Sequence, residues 1–108
     1  MKTSELTGAA LDWAVAKCEG VKLNEGNTLS NDCDFYTPST DWAQGGPIIE
    51  REGIGINAHL DGFEWFAHDY WGMNEQAAEK PLEAAMRCYV ASKLGDDVEI
   101  PEELMEQA

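Results

Sequence analysis

The side chains best suited to chemistry lie close together in residues 36–51, which read YTPSTDWAQGGPIIER. Hydroxyl, carboxylate and amide groups there supply hydrogen-bond donors and acceptors, and two adjacent glycines let backbone N–H groups approach a ligand closely. The indole can stack on a base, and an arginine can form paired hydrogen bonds with a phosphate or carboxylate. The sequence therefore predicts a ligand-binding loop. Its candidate ligand-binding residues are Ser39, Thr40, Asp41, Trp42, Gln44, Gly45, Gly46 and Arg51, together with Arg87 from a later segment.

Arg87 joins this set because cationic groups are scarce. The chain has seven basic and 21 acidic residues, which gives a formal net charge of −14. An anionic ligand held by arginine has only Arg51 and Arg87 to meet it, although Arg87 also follows Glu83 by four positions, an ordinary ion-pair spacing on a helix. The same charge repels a nucleic-acid backbone, so we expect no nucleic-acid partner.

A structural interpretation of the central segment is equally open. In that alternative the segment is a compact loop in which Ser39 and Asp41 cap turns and Trp42 fills the core. Taken alone, Trp42 fits a core position better than a binding role.

Other kinds of chemistry have little support in the sequence. It has no phosphate-binding or dinucleotide-binding glycine motif, and its widely spaced cysteines show no zinc spacing and are expected to be reduced thiols. His59, His68 and Glu64 would make at best an incomplete metal or acid–base site. We therefore expect no catalytic residue, no metal and no cofactor.

Two helices and a hairpin must position the central segment. Leu6, Ala10, Ala14 and Cys18 recur every four residues and predict a helix over residues 4–18, ended by Gly20. Residues 81–94 carry a second apolar period, which begins at a proline and stops before a glycine.

The dipeptide Asp61-Gly62 predicts the turn of a β-hairpin, because Asp-Gly between alternating apolar residues favours a two-residue turn. The turn would pair Leu60 with Phe63, Ala58 with Trp65, and Ile56 with Ala67. Residues 68–80 are predicted to be loop, and Val98 and Ile100 to form a short edge strand. The expected fold class is α+β, a small antiparallel sheet packed against an N-terminal and a C-terminal helix. Residues 1–108 would form one domain, with an acidic tail from about residue 96.

Three long blocks resemble a known family: SELTGAALDWAVAKCEG at residues 4–20, PSTDWAQGGPIIEREGI at 38–54 and PLEAAMRCYVASKLGDDVEIPEEL at 81–104. They are similar to the NinX-like family of small tailed-phage accessory proteins. The resemblance implies a phage gene product acting in the cytoplasm of the infected bacterial host, and it carries no settled activity. No apolar run approaches the roughly 20 residues that cross a bilayer, so we expect no membrane partner.

The leading functional hypothesis is a non-enzymatic protein that sequesters a nucleotide-type host immune signal, ADP-ribose-like or cyclic, by analogy with phage proteins that do so. A pocket of several hundred cubic ångströms is large for this chain, so we expect it to be shared in a homo-oligomer. One alternative is an acidic inhibitor of a host protein, or a DNA mimic, that uses the acidic tail. Another is a small hydrolase of the same signal, with Asp41 or Glu50 as base.

Overall fold

The computed structural model describes residues 2–20, 36–58, 62 and 64–100. In chain order, these residues form a short 3-10 turn at Thr3–Glu5, then α1 (Gly8–Glu19), α2 (Trp42–Glu52), β1 (Gly55–Ala58), β2 (Trp65–His68), β3 (Gln76–Ala78) and α3 (Pro81–Leu94). The strands make one antiparallel sheet in the order β1-β2-β3. This arrangement confirms the predicted α+β class.

The C-terminal helix α3 lies at the centre of the fold. It packs against α1, α2 and all three strands. Most of its side chains are buried, because small residues such as Ala84, Ala85 and Ala91 let the neighbouring elements approach on several sides. Its bounds confirm the predicted helix, with Pro81 in the first turn and Gly95 after the end.

The N-terminal helix is confirmed, and its start is later than predicted. Residues 3–5 form the 3-10 turn, and α1 begins at Gly8, after Thr7 in extended conformation. Gly20 ends α1 in the left-handed region, with φ of 73°, as expected. Leu6, Ala10 and Ala14 from the predicted apolar stripe are fully buried.

The hairpin register is confirmed where the structure describes it. Ile56 pairs with Ala67, and Ala58 pairs with Trp65. The predicted Leu60–Phe63 pair lies outside the described residues.

Two predictions of local structure are wrong on either side of α3. Residues 76–78, predicted to be loop, form the edge strand β3, because they continue the sheet beside β2. The predicted edge strand at Val98 and Ile100 is absent from the described residues, although both side chains are buried in the core. Asp97 instead forms an isolated antiparallel bridge with Lys2.

The central segment was also predicted wrongly, because most of it is helical. Residues 42–52 form α2 although Gly45, Gly46 and Pro47 all lie inside the helix. Among the helices formed by the described residues, none has the length and apolar character of a bilayer-crossing helix.

Candidate functional site

The start of α2 holds most of the predicted ligand-binding residues, and its polar groups largely bind one another. The Asp41 carboxylate is the N-cap and accepts a hydrogen bond from the backbone N–H of Ala43 at 2.9 Å. The Gln44 side-chain oxygen accepts from the N–H of Thr37 at 2.5 Å. The Thr40 hydroxyl is exposed and reaches the carbonyl oxygen of Thr37 at 3.4 Å. These contacts fix the entry into the helix.

Ser39 lies beneath this helix start and connects it to α1. Its backbone N–H donates to the Asp12 carboxylate at 2.9 Å. Burial raises the pKa of Asp12, and hydrogen bonding from Ser39 opposes that rise. The Ser39 hydroxyl oxygen is buried with no hydrogen-bond partner among the described residues. With Asp12 and Asp41 both present, the N-terminus of α2 already carries the negative charge that it favours.

Trp42 lies at the surface, so its expected place in the core is wrong. The residue is 54% exposed at the first position of α2. The helix turns Gly45 and Ile48 towards the interior. The indole is thus open to a partner.

The two glycines of the central segment differ in role. A Cβ on Gly45 would lie 2.5 Å from the Pro38 carbonyl oxygen and 2.7 Å from Cδ1 of Leu82. Gly45 therefore allows α2 to pack closely on α3. A Cβ on Gly46 would meet no atom within 4 Å beyond its chain neighbours and the backbone of its own helix.

Arg51 lies near the other end of α2 and is bound within the chain. Its Nη1 and Nη2 donate to the Glu19 carboxylate at 3.1 and 2.6 Å, and its Nε donates to Glu52 at 2.9 Å. Its Nη2 also lies 3.3 Å from the Tyr89 hydroxyl, which itself donates to Glu19. Lys93 completes the cluster through an ion pair with Glu52 at 3.4 Å. The guanidinium is half-exposed, but its donors face protein acceptors.

Arg87 serves a structural role on another face of α3. Its Nε donates to the carbonyl oxygen of Leu6 and its Nη1 to that of Ala77, both at 2.7 Å. The expected pair with Glu83 is present at 3.3 Å. Arg87 and Tyr89 are two positions apart on α3, which places them on nearly opposite sides of the helix. Because Arg51 lies beside Tyr89, the structure does not bring the two arginines together.

An open depression of about 330 Å³ lies elsewhere on the surface. Its lining comes from the N-terminal segment, from β3 and from the turn after α3, and none of the predicted ligand-binding residues contributes to it. The lining residues are Lys2, Thr3, Ser4, Gln76, Asp96 and Asp97. In the described part of the chain, no group of three His, Cys, Asp or Glu side chains is arranged to hold a metal ion.

Among the described residues, the most exposed large apolar side chains were not predicted as a site. They belong to the turn between β2 and β3, where Tyr70, Trp71 and Met73 are 72%, 79% and 64% exposed. The signal in the sequence was the run Tyr-Trp-Gly-Met at residues 70–73, whose large apolar side chains surround a glycine with no helical or strand period. We call residues 69–74 the aromatic turn.

These observations define a small acidic α+β protein whose arginines make internal contacts and whose exposed aromatic groups occupy a turn and a helix start. The sequence model of the family described as Bacteriophage P22, NinX matches residues 2–93, which is most of the chain. The chain therefore belongs to this family of phage proteins, and the resemblance noted in the sequence is confirmed. No curated protein matches the chain.

Proposed function

We propose that this NinX-family phage protein acts without catalysis, as an acidic inhibitor that binds a basic protein of the infected host. The observation that carries the proposal is the distribution of charge. Arg51 and Arg87, the two arginines predicted to bind an anionic ligand, make contacts inside the chain. Acidic residues, in contrast, are exposed on many parts of the surface. They include Glu5, Glu50, Glu64, Glu75, Glu79, Asp96, Asp97 and Glu99.

This distribution favours a partner of opposite charge. A net charge of −14 on a chain of this size produces a negative potential that attracts basic surfaces and repels acidic ones. Such complementarity speeds encounter and selects the partner, while packed aromatic groups supply much of the affinity. The exposed aromatic residues of this chain are available for that second role.

Affinity capture with a salt series tests the proposal. The tagged full chain is incubated with lysate of the bacterial host, washed at rising NaCl concentration, and the retained proteins are identified by mass spectrometry. We expect basic host proteins that are released as salt screens the attraction. Retention of proteins with no basic surface, or no retention at all, would contradict the proposal.

A pair of variants separates a tail-based DNA mimic from a binding surface elsewhere. Asp96→Asn with Glu99→Gln removes two charges from the end of the described chain, and Glu50→Gln with Glu79→Gln removes two charges from other places. A mimic that uses the tail loses capture only with the first pair. If both pairs weaken capture equally and modestly, the contact surface lies outside the tail, and the negative charge acts only as a general attraction.

Sequestration of a nucleotide-type host signal is a second candidate function, and the exposure of Trp42 favours it. A half-exposed indole at the start of a helix is available to stack on a base. Calorimetric titration with ADP-ribose and cyclic nucleotides should then give saturable heat that Trp42→Ala abolishes. Absence of heat with every nucleotide removes this candidate. Appearance of a reaction product in the mixture would instead indicate the hydrolase.

A further inference from the structure

The aromatic turn presents two rings and a thioether to solvent on one short connection. The Tyr70 and Trp71 rings meet edge to face, with centroids 5.0 Å apart and planes inclined by 86°. Met73 is exposed beside them. Exposed tyrosine and tryptophan are the residue types that most often dominate binding energy at protein interfaces.

The Asp69 carboxylate holds this turn in one shape. Its Oδ1 accepts hydrogen bonds from the backbone N–H groups of Trp71 and Met73, at 2.9 and 2.8 Å. Its Oδ2 accepts from the Asn74 side chain at 2.9 Å. The Asp69 N–H donates to the Met73 carbonyl oxygen at 2.9 Å, which closes the turn. A surface fixed in this way loses little conformational entropy when a partner binds.

The turn is also anchored on the C-terminal end of α2. Gly53 ends that helix in the left-handed region, and a Cβ at this position would lie 3.0 Å from Cδ2 of Tyr70. The carbonyl end of a helix carries partial negative charge that favours a cation. Arg51 in the last turn of α2 is balanced by Glu19 and Glu52, so it does not reverse this preference.

We propose that the aromatic turn is the docking site for a basic segment of a host protein, with arginine or lysine side chains lying over the Tyr70 and Trp71 rings. The inference rests on the proposed function and names its surface. Cations are attracted to the faces of aromatic rings, most strongly to tryptophan. The strong negative charge of the chain favours the same cations, whereas two copies of the chain repel one another. A basic segment therefore fits the turn better than a second copy does.

A labelled peptide gives a direct test with the full chain. Fluorescence anisotropy measures binding of a fluorescein-labelled deca-arginine peptide to the wild type and to the Trp71→Ala and Leu94→Ala variants. We expect Trp71→Ala to weaken binding about tenfold, equivalent to about 1.4 kcal/mol. Leu94→Ala is the matched control, since it removes an exposed apolar side chain outside the turn, and it should change the dissociation constant less than twofold.

Several outcomes would overturn the inference. Equal dissociation constants for the wild type and Trp71→Ala, or no peptide binding by the wild type, would show that the rings do not receive a cation. A concentration-dependent dimer that Trp71→Ala abolishes in analytical ultracentrifugation would make a second copy the occupant.

Failure of the inference is distinguishable from failure of the proposed function. If Trp71→Ala captures basic host proteins as well as the wild type does, the proposed function stands and the turn is not its surface. If the wild type captures none, the proposed function itself fails. An unchanged melting temperature of Trp71→Ala is expected, because the ring is exposed, and it would show that altered peptide binding does not come from unfolding.

Discussion

At the scale of single residues, one cluster of side chains joins the three helices formed by the described residues. Glu19 comes from α1, Arg51 and Glu52 from α2, and Tyr89 and Lys93 from α3. Lys93 also lies over the Tyr89 ring, with its Nζ 5.9 Å from the ring centroid. The guanidinium therefore contributes to the packing of the three helices.

Arg51→Ala should lower the free energy of unfolding by about 1 kcal/mol at neutral pH. Charge-assisted hydrogen bonds contribute more than this when they are buried, but the guanidinium is half-exposed and partly screened. Urea unfolding followed by circular dichroism measures the difference. A variant as stable as the wild type would show that the cluster does not stabilise the fold.

The effect of Arg51→Ala should depend on pH in a defined direction. Hydrogen bonds from Arg51 are the main cause that lowers the pKa of Glu19 below its ordinary value of 4.5. A carboxyl with a depressed folded-state pKa contributes stability above its unfolded pKa and loses it as pH falls through the folded value. The difference between wild type and variant should thus be constant above about pH 4.5 and shrink below it. A difference that grows on acidification would contradict this assignment.

Gly45 and Gly46 provide a matched pair of substitutions. Gly45→Ala should destabilise the protein by about 1–3 kcal/mol, because the new methyl group would overlap the Pro38 carbonyl and Leu82. Gly46→Ala should change stability by less than about 1 kcal/mol, because the space around the site is open and the helix preference of alanine is offset by crowding against the ring of the following Pro47. Thermal unfolding of both variants checks that Gly45→Ala is the more destabilising of the two. Equal effects would contradict the close packing of α2 on α3.

At the scale of elements, α2 shows why part of the fold could not be predicted. Glycine and proline inside residues 42–52 disfavour a helix, so a loop was predicted there from the sequence. The sequence also contains a helix-start signal, Asp41 followed three residues later by Gln44, which that prediction did not use. Tertiary packing decides the outcome here. Ile48 is buried, and Gly45 fits against α3 only because it lacks a side chain.

The elements that were predicted correctly carry their signal locally. The helix α3 has an apolar period, a proline at its start and a glycine after its end, and the register of β1 with β2 follows from alternation beside Asp61-Gly62. The strand β3 has only three residues, too few to show a pattern in the sequence, and it is defined by its hydrogen bonding to β2. The exposed rings of the aromatic turn depend on the packing around them, which local pattern does not reveal.

The aromatic turn should lose its fixed shape when Asp69 is replaced. Asp69→Ala removes the acceptor for the Trp71 and Met73 N–H groups, so their amide hydrogen exchange should become much faster. Asp69→Asn keeps one acceptor oxygen and should give intermediate rates. Exchange measured by NMR, with amides of α3 as internal reference, checks this order. Unchanged rates in Asp69→Ala would show that the carboxylate does not hold the turn.

At the scale of the whole molecule, the charge of −14 should act in opposite directions on folding and on binding. Salt screens repulsion among the carboxylates of the folded chain, so added NaCl should raise the melting temperature by a few degrees. The same salt should weaken binding to a basic partner. Scanning calorimetry over a series of NaCl concentrations tests the rise in melting temperature, and binding measured over the same series tests the fall in affinity. A melting temperature that falls as NaCl is added would show that repulsion among the carboxylates does not destabilise the folded chain.

We expect a basic host protein to contact this chain at the aromatic turn, and photo-crosslinking in infected cells detects that contact. The photoreactive residue p-benzoylphenylalanine replaces Trp71 in one protein and Trp42 in a control, each is irradiated during infection, and adducts are identified by mass spectrometry. We predict a basic host protein joined to position 71 and missing from position 42. An adduct with a second copy of the chain, the same adducts from both positions, or no protein adduct from position 71 would contradict the account.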